Sequence, residues 1–240
     1  MSGHSKWHNI QNKKGKTDAQ RAKIFTKMAR EISVIVKEGG SNPAANSRLA
    51  DAIAKAKAAN VPNDNIERAI KKAAGEGDTS NYESLIYEGY GPGGVAVVVD
   101  CLTDNRNRTA ANLRHYFDKF GGNLGASNSV LWQFKDAGVL IVDKEDVDED
   151  ELMMCALDNG ADDFDAEGEA FEILTAPAQF SNVRVALEEA GYQFLTAEVT
   201  RIADNDVSLT DEKERFKMQL LLDALEDDDD VQKVAHNWAE

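Results

Sequence analysis

Eight cations, Lys6, Lys13, Lys14, Lys16, Arg21, Lys23, Lys27 and Arg30, fall within the first thirty residues, against the single acid Asp18. That segment stands at +7 in a chain whose net charge is −16. A basic segment on an acidic body calls for a polyanionic partner, and the chemistry these side chains can do is to neutralise phosphates. Trp7, set in polar surroundings, offers a ring on which a base can stack. Farther on, Asn105-Arg-Asn-Arg108 opens a helical pattern, with Arg114 two turns later. Arg106 and Arg108 at a helix N-terminus suit phosphate or ribose contact, although a turn and a cap would use the same residue types. A run of charge is ordinarily a solvated face. Two features favour binding here: the sign opposes the body, and the cations lie opposite an apolar stripe.

Other spacings imitate chemistry without its full residue set. Gly89-Tyr-Gly-Pro-Gly-Gly94 resembles a phosphate-cradling loop, but it leads into a strand and contains Pro92, so it reads as a hairpin turn. Asp163, Asp165, Glu167 and Gly168 match early positions of a calcium loop, yet the closing position is Leu174. His4 and His8 sit among cations, which would repel a metal ion. Cys101 and Cys155 give neither a disulfide framework nor a zinc pattern and read as small hydrophobes in a reducing compartment. No nucleophile elbow or P-loop occurs, and neither a catalytic site nor a cofactor is expected. The N-terminus has no apolar signal core, and no apolar run approaches membrane-spanning length, so a cytoplasmic location with no membrane partner is expected.

The elements that must position these residues divide by period and charge. Residues 1–80 hold 15 basic and 8 acidic residues, whereas residues 81–240 stand at −23. The first part reads as helices. Thr17 or Asp18 can cap one whose apolar stripe is Phe25, Met28, Ala29, Ile32, Ile35 and Val36, with Lys23, Lys27, Arg30 and Lys37 opposite. Ser41-Asn42-Pro43 offers a cap for an Ala-rich helix over 43–60, and Asp64 with Glu67 fits a capping box for a third. From residue 82 strands are expected over 82–90, 95–102 and 129–134, with a helix over 105–120. Residues 138–203 then run βαββαβ, the ferredoxin-like signature, and a helix over 210–225 and a strand over 231–236 follow. The Asp227–Asp230 run between them reads as a solvated loop.

Gly3-His-Ser-Lys-Trp7, Lys23-Ile-Phe-Thr-Lys27, Tyr87-Glu-Gly-Tyr-Gly-Pro-Gly-Gly94, Asp104-Asn-Arg-Asn-Arg-Thr109 and Gly121-Gly-Asn-Leu-Gly125 resemble, in order and across the whole chain, the signature blocks of the YebC/PmpR family. The resemblance implies three domains, an N-terminal helical one and two α/β ones with the third inserted in the second. It also implies a DNA-binding transcriptional regulator without catalytic residues. Relatives that include a mitochondrial translational activator act on ribosomes and relieve stalling at proline-rich stretches. The basic block of the family maps onto Lys6, Trp7, Lys13, Lys14, Lys16, Lys23 and Lys27.

The expected fold class is therefore α+β: an N-terminal helical bundle over 1–80 plus two ferredoxin-like α/β sandwich domains. The second comprises 81–137 with 204–240, and the inserted third is the acidic segment 138–203. The expected function is non-enzymatic regulation of gene expression through nucleic acid, with DNA first and ribosomal RNA or the ribosome as the alternative partner. A small-molecule sensor ranks below both, and no small-molecule substrate is expected. The body at −23 would be repelled by long duplex DNA, and no helix–turn–helix with a short Gly turn is evident, which favours RNA on charge alone.

Overall fold

The computed structural model describes residues 18–75 and 81–239 of the chain. Helices α1 (Asp18–Gly39), α2 (Ser47–Ala58) and α3 (Asn63–Ala74) form the first module. Ile32, Ile35 and Val36 of α1 meet Leu49, Ala52 and Ala56 of α2 and Ile66 and Ala73 of α3 in one apolar core. The alanines remove side-chain bulk where the helices touch, which lets their backbones approach. The cap of α2 is Asn46, not Ser41 or Asn42 as the sequence suggested. Asn46 Oδ1 accepts the Leu49 N–H at 3.2 Å, while its Nδ2 donates to the Ile35 and Gly40 carbonyls at 3.3 and 2.9 Å. One carboxamide thus satisfies the end of α1 and the start of α2 together, which no earlier residue in the loop can do. The proposed capping box also fails, because α3 begins at Asn63 behind Pro62 without a side-chain cap.

Strands β1 (Glu83–Tyr90) and β2 (Ala96–Thr103) make a hairpin in which Tyr90 faces Ala96. The intervening turn needs Gly93 at φ 65°, where a Cβ would also lie 2.2 Å from Leu209. Helix α4 (Arg106–Phe120) and the short β3 (Asn123–Leu124) follow. Gly122 lets β3 close on β1, since a Cβ there would sit 2.3 Å from the Tyr90 carbonyl. The chain then enters β4 (Phe134–Asp143), α5 (Glu149–Asp158), β5 (Asp163–Asp165), β6 (Ala170–Thr175), α6 (Phe180–Glu189) and β7 (Phe194–Ala203). It closes with β8 (Val207–Ser208), α7 (Glu212–Asp227), β9 (Val231–His236) and β10 (Trp238–Ala239).

Two four-stranded sheets result, ordered β3-β1-β2-β9 and β5-β6-β4-β7, with every neighbouring pair antiparallel. The second has the ferredoxin-like order expected from its βαββαβ run. Helices α4 and α7 cover one face of the first sheet through Leu113, Phe117, Met218, Leu221 and Leu225 against Val97 and Val99. Helices α5 and α6 cover the second through Leu152, Phe180, Val183 and Leu187 against Leu140, Val142 and Ile173.

The strand expected over 129–134 is not formed. Leu131–Gln133 is a short 3₁₀ turn, and β4 starts at Phe134. Glu88 explains the difference: its buried carboxylate accepts the N–H groups of Asn128, Val130 and Leu131 at 2.6, 2.9 and 2.7 Å. Those donors are taken from any ladder. Burial pushes the Glu88 carboxyl up, but these N–H groups outweigh it and hold the carboxyl below its ordinary value. Among the described residues no helix is long and apolar enough to cross a membrane.

The seams between modules differ in kind from their interiors. No apolar core cluster that contains residues of the helical module contains residues of either sheet module. Polar contacts join the helical module to the sheets instead: Asp51 of α2 takes Ser181 and Arg184 of α6, and Lys55 reaches Glu198 of β7. The two sheets meet through both kinds of contact, Arg201 of β7 on Asp100 of β2 and Phe134 and Ala203 against Ala96 and Val98.

Candidate nucleic-acid interface

Lys23, Lys27 and Arg30 recur at i, i+4 and i+7, which places them on one face of α1 over roughly 10 Å. In the fold that face meets the end of α7 and the loop into β9. Lys23 Nζ donates to Asp227 Oδ1 at 2.6 Å and to the Asp227 carbonyl at 3.1 Å. Lys27 Nζ donates to the Glu226 carbonyl at 2.6 Å. Arg30 Nη1 donates to the Asp229 carbonyl at 2.8 Å and to Asp230 Oδ1 at 3.0 Å. Helix α7 carries no basic residue in its last turn, so cations from α1 answer the negative pole of its dipole and its terminal carbonyls. Burial draws the Lys27 ammonium below its ordinary pKa, against the opposing pull of Glu226 and Asp228.

Asp230 is the centre of this contact and is 2 % exposed. Besides Arg30, its carboxylate accepts Arg108 Nε at 3.2 Å and Nη2 at 2.7 Å, and the hydroxyls of Thr103 and Thr109 at 3.1 and 2.9 Å. Burial raises such a carboxyl, yet Arg108, Thr109 and Arg30 together hold Asp230 below its ordinary value. Arg108 pairs with Asp104 as well, at 2.9 Å. The neighbouring Asp228 is also buried and accepts Asn112 Nδ2 and the Tyr116 hydroxyl, each at 3.1 Å. Burial, with Asp228 beside it, pushes the Tyr116 hydroxyl up to about 12. The reading of 227–230 as a solvated loop is thus corrected: Asp228 and Asp230 are interior carboxylates that gather donors from α1, β2 and α4.

The sequence-derived site residues separate into three groups. Lys6, Trp7, Lys13, Lys14 and Lys16 lie outside the described residues. Lys23, Lys27, Arg30 and Arg108 are brought together, Lys23, Arg30 and Arg108 on carboxylates and Lys27 on the Glu226 carbonyl. Arg21 and Arg106 are exposed, Arg21 at the rim of a cleft where the three modules meet. That cleft has a volume of about 1240 Å³, with Phe25, Met28, Tyr192 and Phe194 among its walls. Its interior cations are paired: Lys55 lies 3.4 Å from Glu31 and 3.3 Å from Glu198, and Lys233 lies 3.5 Å from Glu198. Burial works against the Lys55 charge, but Glu198 and Glu31 more than offset it and hold its pKa above the ordinary value.

Sequence reasoning passed over Lys57, Arg68 and Lys72, which are exposed on α2 and α3 and make no ion pair among the described residues. It placed a break between the second and third helices without recognising a helix–turn–helix turn there: four residues join α2 to α3, and Asn60 among them takes the left-handed conformation at φ 59°. Asn in place of the expected Gly hid that turn. Among the described residues no three His, Cys, Asp or Glu side chains converge as metal ligands.

Two family models match the chain. That of the TACO1/YebC protein N-terminal domain covers residues 5–76, and that of the TACO1/YebC second and third domain covers residues 82–238. A protein of Acetivibrio thermocellus named "Probable transcriptional regulatory protein" is 60% identical over 239 residues, spanning 99% of each chain. One of Finegoldia magna with the same name is 56% identical over 238 residues, again covering 99% of both. A crystal structure described as a conserved hypothetical protein from Aquifex aeolicus superposes with a TM-score of 0.84 at 47% identity, covering 95% of this chain and 93% of that one.

Proposed function

This chain belongs to the TACO1/YebC family, and on that premise we propose that it is a non-enzymatic, cytoplasmic regulator of gene expression that binds nucleic acid through its helical module. The observation that carries the reading is the segregation of charge. Cations concentrate in residues 1–80, while the remainder stands at −23. Lys6, Lys13, Lys14 and Lys16 supply the first phosphate contacts and Trp7 a stacking surface. Arg21, Arg106 and the exposed Lys57, Arg68 and Lys72 extend the positive field. The names of the relatives from Acetivibrio thermocellus and Finegoldia magna support DNA as the polyanion and transcription as the process.

Ribosomal RNA is the second reading, and α3 favours it. As the second helix of a helix–turn–helix it would present its N-terminal turn to the major groove. That turn carries Asp64, with Glu67 just behind it, and both would meet phosphates with like charge. Crosslinking in cells followed by sequencing of both RNA and DNA decides between the two. Promoter fragments are expected if the protein acts on transcription, and ribosomal RNA segments if it acts on translation. Recovery of neither above an uncrosslinked control contradicts both.

A further inference from the structure

The cations of α1 and the acids of the α7–β9 loop cover one another, although the same cations would be needed to hold a nucleic-acid strand. Five oxygens strung along one stretch of backbone, from Glu226 to Asp230, contact the three cations of α1. A phosphodiester strand would also present oxygens repeating along a backbone, all of them on anionic groups, whereas three of these five are neutral carbonyls. The contact also weakens outward. The Arg30 and Asp230 side chains are 19% and 3% exposed, whereas those of Lys23 and Asp227 are 37% and 64% exposed. An exposed ion pair in water holds little and yields to competing ions. No apolar core cluster spans this seam, so parting its outer end exposes no hydrophobic interior. Lys16 lies only seven residues before Lys23, so a strand captured by the leader is held close to the outer end.

We propose that the C-terminal end of α7 and the loop into β9 form a built-in competitor for nucleic acid on α1: Asp227 and the Glu226 carbonyl occupy Lys23 and Lys27 until phosphates displace them, while Arg30 stays on Asp230 as the fixed end. The proposal rests on the reading of the helical module as a nucleic-acid binder. The loop then sets a threshold, because only a polyanion dense enough to replace several oxygens at once gains the α1 face.

The test uses the full chain and fluorescence anisotropy with a labelled single-stranded RNA and a labelled DNA duplex between 50 and 200 mM KCl. Asp227→Asn is expected to tighten binding about two- to fivefold, the equivalent of one exposed ion pair. It is also expected to steepen the slope of log affinity on log salt by up to about 1, since Lys23 no longer exchanges one anion for another. The control Asp158→Asn removes the same charge from the exposed end of α5, in the inserted sheet module, and is expected to leave that slope unchanged. In a Lys23→Ala background, Asp227→Asn is expected to lose its effect. An unchanged slope for Asp227→Asn, or equal tightening in the Lys23→Ala background, would overturn the competitor and leave the functional reading in place. Absence of binding by the wild-type chain to both probes would overturn that reading and the competitor with it.

Discussion

Asp227 and Asp229 differ from Asp228 and Asp230 in everything but residue type. The four are consecutive, yet the first two are exposed and the other two are 8% and 2% exposed. Asp227 ends α7, and a turn closed by the Val231 N–H on the Asp228 carbonyl at 3.2 Å carries the chain into β9, with Asp228 and Asp230 facing inward. The inward pair meets seven side-chain donor groups in all: Arg30, Arg108, Thr103 and Thr109 on Asp230, Asn112 and Tyr116 on Asp228, and Arg108 through both Nε and Nη2. Among the described residues the outward pair meets one, Lys23 on Asp227. Interior carboxylates fix where α1 lies, and exterior ones tune how easily its cations are released. A buried charge is tolerable only because distant parts of the chain bring donors to it.

Removing Asp230 breaks the comparison most severely. Asp230→Ala strands Arg30 and two hydroxyls around a void, and a loss of about 4 kcal/mol is expected, measured by urea unfolding. Asp230→Asn should recover only part of it, because a carboxamide cannot accept both arginines.

Acid sharpens the comparison through two separate windows. Burial draws the His236 imidazole down to about 4 from an ordinary 6.5. The unfolded chain therefore takes up that proton first, and stability falls as the pH drops from about 6.5 to 4. The full effect of His236 is about 3 kcal/mol at 1.36 kcal/mol per pH unit, and His236→Gln should flatten this part of a melting-temperature profile. Asp230 has the opposite charge type and a depressed pKa. Its contribution is complete above the ordinary carboxyl value and is lost as the pH falls through the lower folded value. Asp230→Asn should therefore lower stability by a constant amount above about pH 4 and change the slope of the profile only below it, where the difference from wild type fades.

Asp228→Ala is expected to cost about 2 kcal/mol, by leaving Asn112 and Tyr116 without their acceptor. The smallest effect belongs to the outer end. Lys23→Ala and Asp227→Ala should each change stability by about 0.5 kcal/mol or less, as exposed partners do. A large loss from either would erase the distinction between inner and outer carboxylates.

What was legible in the chain follows from how local the signal is. The β1–β2 hairpin, the βαββαβ run and the apolar stripe of α1 are carried by neighbouring residues and stand as read. Asn46 was missed because its second task, holding the end of α1, depends on a helix packed beside it. Glu88 was missed because three N–H groups some forty residues away define it. Asp230 was missed because an aspartate run looks the same in solvent as in an interior, and its partners on α1 and α4 lie more than a hundred residues earlier. The glycine motif at 89–94 was visible as a turn and that at 121–125 only as a signature block, and their shared purpose, the close approach of β3 to β1, needed the register. Of the candidate site, the cations were legible from charge alone, and the anions that hold Lys23, Arg30 and Arg108 were not.

The salt dependence of nucleic-acid binding tests the central claim most directly. With about six leader and α1 cations on phosphates, log affinity for duplex should fall with a slope near ~−5 on log salt, roughly a thousandfold between 50 and 200 mM. Replacing Lys13, Lys14 and Lys16 with Glu should flatten that slope and abolish binding, with the melting temperature of the chain unchanged. A flat response in the wild-type chain, or full affinity in the triple variant, would contradict the assignment of the helical module as the nucleic-acid-binding part.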